Sequence, residues 1–170
     1  MSEIRFDGRV AIITGAGNGL GRRYAQYLAA RGASILVNDL GGGTDGSGDS
    51  TRPADQVAEE IRSAGGEATA CYESVASARG GQAIVEAALG AYGKVDIVIN
   101  NAGILRDASL AKMSAENFDA LIDVHLKGAF YVTQPAFKVM RENGYGRVVY
   151  TASGAGVFGN QSLAPASPRT

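Results

Sequence analysis

Five short runs of aliphatic and β-branched residues recur along the chain, each followed by a stretch long enough for several helical turns. They read "RVAIIT", "SILVND", "EATACYESV", "KVDIVIN" and "GRVVYTAS". The first, second and fourth are apolar almost throughout, which is how strands look when both faces of their sheet are covered. Parallel strands need crossovers of a dozen residues or more, and the intervening stretches supply them. Right-handed βαβ units in a doubly wound α/β domain follow.

The intervening stretches carry helical signals. "GLGRRYAQYLAARG" spaces Leu20, Tyr24 and Leu28 along one face, with Gly32 suited to the C-terminal cap. "ADQVAEEIRSAGG" places Val57 and Ile61 a turn apart, and "GGQAIVEAALGAYG" is helical in the same way. "SAENFDALIDVHLKGAFYVTQPAFKVMREN" reads as one long helical stretch in which Pro135 can introduce a kink.

At 170 residues with 45 % apolar content, the chain suits one domain with a sizeable core. Its 16 basic and 17 acidic residues leave no electrostatic footprint for nucleic acid or an anionic membrane. No apolar run is long enough to span a bilayer, and "MSEIRFDGRV" lacks the apolar core of a secretory signal. The single cysteine, Cys71, excludes an internal disulfide and is expected in the core, in keeping with a reducing, cytoplasmic setting. In "DGSGDS", Asp45, Ser47 and Asp49 alternate as in a calcium loop. Ser50 stands where that loop needs glycine and Gln56 where it needs glutamate, so no metal is expected.

The first apolar run leads directly into "TGAGNGLG" and then a helix. Glycines there permit a sharp turn and close approach of a pyrophosphate to bare backbone, beside the unpaired N–H groups of a helix N-terminus. Asp39 closes the second run at about the distance beyond Gly21 where a carboxylate accepts bonds from an adenosine ribose. A carboxylate there favours two free hydroxyls over a 2′-phosphate, and neither Asn18 nor Leu40 offers a compensating cation. Arg22 and Arg23, at the helix start, are expected to face solvent. NAD(H) is therefore favoured over NADP(H).

"TGAGNGLG", together with "NNAG" after the fourth run, resembles the signatures of the short-chain dehydrogenase/reductase superfamily. "RFDGRV", "VNDLGG", "NNAGILRD" and "VHLKGAF" are similar to the (3R)-hydroxyacyl-CoA dehydrogenase domain of peroxisomal multifunctional enzymes of type 2 and of bacterial relatives. The resemblance runs from Arg5 to about Asn160. It implies a Rossmann-like sheet of strand order 3-2-1-4-5, with an NAD-binding domain over 1–160 and an unrelated tail over 161–170. It implies that Gly15, Asn18, Gly19, Leu20 and Gly21 line the phosphates and that Asp39 holds the adenosine ribose. Ser74 and Val75 would flank the adenine, and Asn101 would contact the cofactor. Asn100 is expected to tie neighbouring strands together. The segment around Asp45 lies near the adenosine end and can shape that pocket.

The same resemblance implies hydride transfer between the nicotinamide and a hydroxyl-bearing carbon of a small substrate of acyl-CoA type, usually in a homo-oligomer. Eukaryotic relatives are peroxisomal. Ser153 matches the serine that orients the substrate oxygen. His125, the only histidine, stands where many members have a relay asparagine, and is either a hydrogen-bonded core residue or a water-positioning group. The family's catalytic tyrosine and lysine fall, counted from Ser153, on Ala166 and Thr170. "QSLAPASPRT" opposes a helix through Pro165 and Pro168, so the sheet is expected to be incomplete, with an uncovered apolar patch beside the fifth strand. Three functions stay open: an oxidoreductase whose present chain is inactive alone, a non-catalytic NAD-binding module, or a fragment without a ligand.

Overall fold

The computed structural model of the chain describes residues 4–48, 50–154 and 158. The strands are β1 (Val10–Thr14), β2 (Ser34–Asn38), β3 (Glu67–Cys71), β4 (Ile97–Asn100) and β5 (Arg147–Tyr150). The helices are α1 (Gly19–Ala29), α2 (Arg52–Ser63), α3 (Ala78–Tyr92), α4 (Ala115–Ile122) and α5 (Gly128–Glu142). All strand pairs are parallel and the order is β3-β2-β1-β4-β5, as expected. Ala11 pairs with Ile35 on one side and Ile97 on the other, which puts β1 at the centre.

The alternation of side chains along a strand divides the core. Ala11, Ile13, Ile35 and Val37 face α1 and α2, meeting Ala25, Leu28, Val57 and Ile61. Ile12, Leu36 and Val98 face α3 and α5, meeting Ile84, Val85, Val132 and Met140. Each face of the central strands is therefore buried, which is why their sequences do not alternate. The α3–α5 crossing is close: a Cβ built on Gly81 would lie 2.4 Å from the Tyr131 carbonyl oxygen.

Some expectations need correction. The third run ends as strand at Cys71, and Tyr72 beyond it is exposed. The buried side of α1 is Gly21, Ala25, Leu28 and Ala29, while Leu20 is 59 % exposed, because the tight glycine turn starts the helix before it meets the sheet. Arg22 is not simply solvated; it donates to Glu60 of α2 at 2.7 Å, whereas Arg23 is exposed. The long helical stretch is divided by one π turn at Asp123–Lys127, and Pro135 sits inside α5. Asn100 ties β4 to α5, through Thr133 Oγ1 at 3.0 Å, rather than to another strand. Its Oδ1 is buried without a partner among the described residues.

β5 is an edge strand among the described residues, and Val149 and Tyr150 on it are exposed together with Phe130 and Phe137 of α5. The expected apolar patch is present there. Cys71 is buried in the α3–α5 half of the core, and burial pushes its thiol pKa up.

At the opposite end of the sheet from the glycine turn, Asp96, just before β4, ties that strand to β1. Its Oδ2 accepts from the Val10 amide and its Oδ1 from Arg9, each at 2.9 Å, and Lys94 lies 3.0 Å from Oδ2. Burial works against the charge, but these bonds outweigh it and hold the carboxyl below its ordinary value. A depressed folded pKa gives stability that is complete above the unfolded value and is lost as pH falls through the folded one. The urea midpoint should accordingly fall on acidification below about pH 4, and Asp96→Asn should lower the midpoint at neutral pH while flattening that acid limb. Urea titrations of both proteins across the acid range measure this directly.

Candidate nucleotide-binding site

Parallel strands bring all their C-terminal ends, and the loops that leave them, to one edge of the sheet. The cleft at that edge has a volume of about 310 Å³ and is walled by loops from four elements. Gly15, Asn18 and Gly19 come from the turn after β1, Asp39, Leu40, Gly42, Gly43, Thr44 and Gly46 from the segment after β2, Glu73 to Val75 from that after β3, and Asn101 to Ile104 from that after β4.

The turn after β1 is fixed from beneath. Thr14 Oγ1 accepts from the amides of Asn101 and Ala102, both at 3.0 Å. The Asn101 side-chain amide donates to the carbonyl oxygens of Thr14 and Gly15 at 3.1 Å. Asn101 thus spends its amide on pinning the turn to β4, and reaches the cleft only as part of its wall. Gly21 is packed under the turn; a Cβ there would lie 2.2 Å from Gly15 O. Gly19 is the opposite case. Its φ is +52° and a Cβ would meet nothing within 4 Å, so the backbone faces open space at the start of α1. Asn18, the N-cap, makes no side-chain cap bond, which leaves the first-turn N–H groups of α1 turned toward that space. The cradle suits a phosphate.

Asp39 is set between loops. Its Oδ2 accepts from the Gly17 amide and its Oδ1 from the Gly41 amide, each at 2.7 Å. Each carboxylate oxygen keeps a further acceptor site for a hydroxyl. Asp39 and Glu73 are the charged groups among the described residues of the lining, which includes no Lys or Arg. Asn38, buried behind Asp39, donates to Glu73 O at 2.9 Å and so holds the ends of β2 and β3 together. Ser74 Oγ accepts from the Ala76 amide at 3.2 Å and Val75 packs against the core while lining the cleft. Of the predicted set, Gly15, Asn18, Gly19, Asp39, Ser74, Val75 and Asn101 meet in this cleft. Leu20 and Gly21 lie outside its lining, one exposed and one beneath the turn.

His125 is neither in the core nor in a regular helix. It is exposed within the π turn, and its Nε2 lies 2.8 Å from Ile104 O and 3.2 Å from Ile104 N. That nitrogen donates to the carbonyl when it carries the proton and accepts from the amide when it does not. Ser153 is exposed just past β5, at the same edge of the sheet as the glycine turn. Ala166, Thr170 and the segment 161–170 lie outside the described residues. Glu73 was not singled out in the sequence; Gly103 and Ile104 lie within "NNAGILRD", and the segment around Asp45, expected to shape the pocket, supplies Gly42, Gly43, Thr44 and Gly46 to its wall. No group of three or more potential metal-ligating side chains occurs among the described residues. No helix among them is long and apolar enough to cross a membrane.

A doubly wound parallel sheet with a glycine turn and a carboxylate at its switch point defines a nucleotide-binding α/β domain of Rossmann type. The short chain dehydrogenase family matches residues 9–166. A "Peroxisomal multifunctional enzyme type 2" of Drosophila melanogaster is 54 % identical over 158 residues, covering 93 % of this chain and 26 % of that protein. A short chain dehydrogenase from Mycobacterium avium superposes with a TM-score of 0.85 at 43 % identity, over 95 % of this chain and 57 % of that one. A 7α-hydroxysteroid dehydrogenase, solved with NADH and 7-oxo glycochenodeoxycholic acid, superposes with a TM-score of 0.82 at 31 % identity, over 94 % of this chain and 58 % of that one. The chain belongs to the short-chain dehydrogenase family. It spans about a quarter of the Drosophila relative and somewhat over half of the two structures.

Proposed function

We propose that the cleft binds NAD(H) and serves hydride transfer to or from a hydroxyl-bearing carbon, with a (3R)-hydroxyacyl-CoA as the substrate class. The observation that carries this reading is the pairing of Asp39 with the open backbone cradle at Gly19, in a lining whose described residues include no Lys or Arg. The bound nicotinamide would supply the hydride acceptor or donor. Gly15, Asn18 and Gly19 would present backbone to the pyrophosphate, Asp39 would accept from the ribose hydroxyls, and Ser74 with Val75 would flank the adenine. Asn101 would hold the turn in place. Ser153 would orient the substrate oxygen from the end of β5. The substrate class rests on the likeness to multifunctional enzymes of type 2, and the single buried thiol fits a reducing compartment such as the cytoplasm.

Proton transfer to the substrate oxygen needs an acid–base group near Ser153, which typically contributes about 10²–10⁴-fold. Ala166 and Thr170 occupy the matching positions and can supply none. On this reading the polypeptide by itself would bind cofactor and show little turnover, which an assay of NAD⁺ reduction with the purified chain checks. A non-catalytic NAD-binding module is the second reading, favoured by that same pair of residues. Calorimetric titration with NAD⁺ and NADP⁺ tests the cofactor proposal. NAD⁺ should bind more tightly, and Asp39→Ala should weaken it roughly ten- to a hundredfold, since bonds to a charged group contribute about 1.5–3 kcal/mol. Equal affinity for both nucleotides in the parent and the variant would sink the assignment.

A further inference from the structure

The segment after β2 does not trail along the surface; it crosses to the loop after β4. Thr44 O accepts from the Leu105 amide at 2.8 Å, and Asp45 O accepts from Arg106 Nε at 2.9 Å. Gly46 lies so close to Ile104 that a Cβ would be 2.9 Å from its Cγ2. The segment is also tied within itself. Gly43 N donates to Ser47 O at 2.8 Å, and Asp45 Oδ1 accepts from both the amide and the hydroxyl of Ser47. Its start is anchored by the bond from Gly41 N to Asp39. Arg106 is fixed in turn from α4, donating through Nη1 to Asn117 Oδ1 at 3.0 Å.

We infer that residues 41–48 form a strap across the mouth of the cofactor cleft, and that Arg106 is the positioning residue that latches it. Three placements carry this. Gly42, Gly43, Thr44 and Gly46 line the same cleft as Gly15 and Gly19, so the strap is a wall of the site and not a remote loop. The strap joins the loops after β2 and β4, which flank the central β1 and its glycine turn, so it spans the crevice. Its far end is held by one charged side chain with a planar fork, one arm on the strap and another on α4. A closed strap encloses a dinucleotide between itself and the turn after β1. A ligand of that size can leave only when the contacts to Leu105 and Arg106 open. Cofactor residence time is thereby set partly by a residue that need not touch the cofactor.

This inference rests on the reading that the cleft takes NAD(H), and its test separates the two. Stopped-flow displacement of bound NAD⁺ gives the release rate, and amide exchange of the free chain reports the Leu105 bond without any ligand. Arg106→Ala should raise the release rate about tenfold, as expected for loss of one charge-assisted bond. The Leu105 amide should exchange faster by a similar factor, while amides of β1 keep their protection and the thermal midpoint moves little. Arg106→Lys, which retains a donor without the fork, should fall between the two. Should Arg106→Ala fail to fold, Asn117→Ala loosens the latch from its other side and is read identically. Unchanged NAD⁺ release in a folded variant overturns the strap while leaving the cofactor assignment standing. Absence of NAD⁺ binding by the parent chain overturns both.

Discussion

Gly81→Val is expected to abolish the cooperative fold. The new side chain would begin with a Cβ 2.4 Å from the Tyr131 carbonyl oxygen and 2.5 Å from its carbon, and both are backbone atoms of α5 that no rotamer change can move. Relief requires α3 to draw away from α5, and the residues between them are Ile84, Val85, Val132, Ala136 and Met140, all buried. Overpacking alone costs roughly 1–3 kcal/mol, and each large apolar side chain re-exposed costs about 1.5–3 kcal/mol more. A domain has only about 5–15 kcal/mol to lose. Gly90→Ala is the matched control, because it lies on the same helix with nothing within 4 Å of the added Cβ. It should be neutral or stabilising by up to ~1 kcal/mol through helix propensity. Circular dichroism melts of the two variants decide the matter. A sigmoidal transition for Gly81→Val near that of the parent would mean that α3 and α5 can separate at Gly81 without loss of the core.

Gly19→Ala should remove nucleotide binding while leaving the domain folded. A Cβ there meets no protein atom, so packing is untouched, and the cost to the fold is the left-handed backbone at φ +52°, about 1–2 kcal/mol for an L-residue. The methyl would instead occupy the space in front of the unpaired N–H groups of α1. Phosphate binding at a helix N-terminus depends on direct approach to those groups. Affinity for NAD⁺ should fall about a thousandfold, from a micromolar to a millimolar scale, with a thermal midpoint only some degrees lower. Calorimetry beside a thermal melt separates the two quantities. Retained binding would place the phosphates elsewhere along the cleft.

The sheet was legible because burial on both faces leaves a plain mark: Ile12 and Ile13 point to opposite cores, and both must be apolar. The turn and Asp39 were legible because the glycines and the acid each stand at the end of an apolar run, a mark that needs no tertiary contact to be seen. What stayed hidden depends on contacts between distant segments. Of the stripe Leu20, Tyr24 and Leu28, only Leu28 is buried, and the rest of the buried side of α1 is Gly21, Ala25 and Ala29, small residues that carry little hydrophobic signal. His125 looked like part of an apolar helix, because a single π turn shifts the register by one residue and leaves no trace in composition. The strap was invisible for a related reason. Its outer bonds run from Thr44 and Asp45 to Leu105 and Arg106, through backbone carbonyls whose owners could be almost any residue.

The placement of β1 between β2 and β4 has a consequence for synthesis. Ile12 finds Leu36 soon after both leave the ribosome, but its other neighbour, Val98, is made much later. Loop closure over such a span is slow and unfavourable until the late strand is in place. The side of the cleft that carries Asp39 and Ser74 is translated long before Asn101 can pin the turn through Thr14. A nascent chain released before Ile104 therefore has the recognisable motif and no site, and cofactor can favour folding only after the fourth strand has emerged.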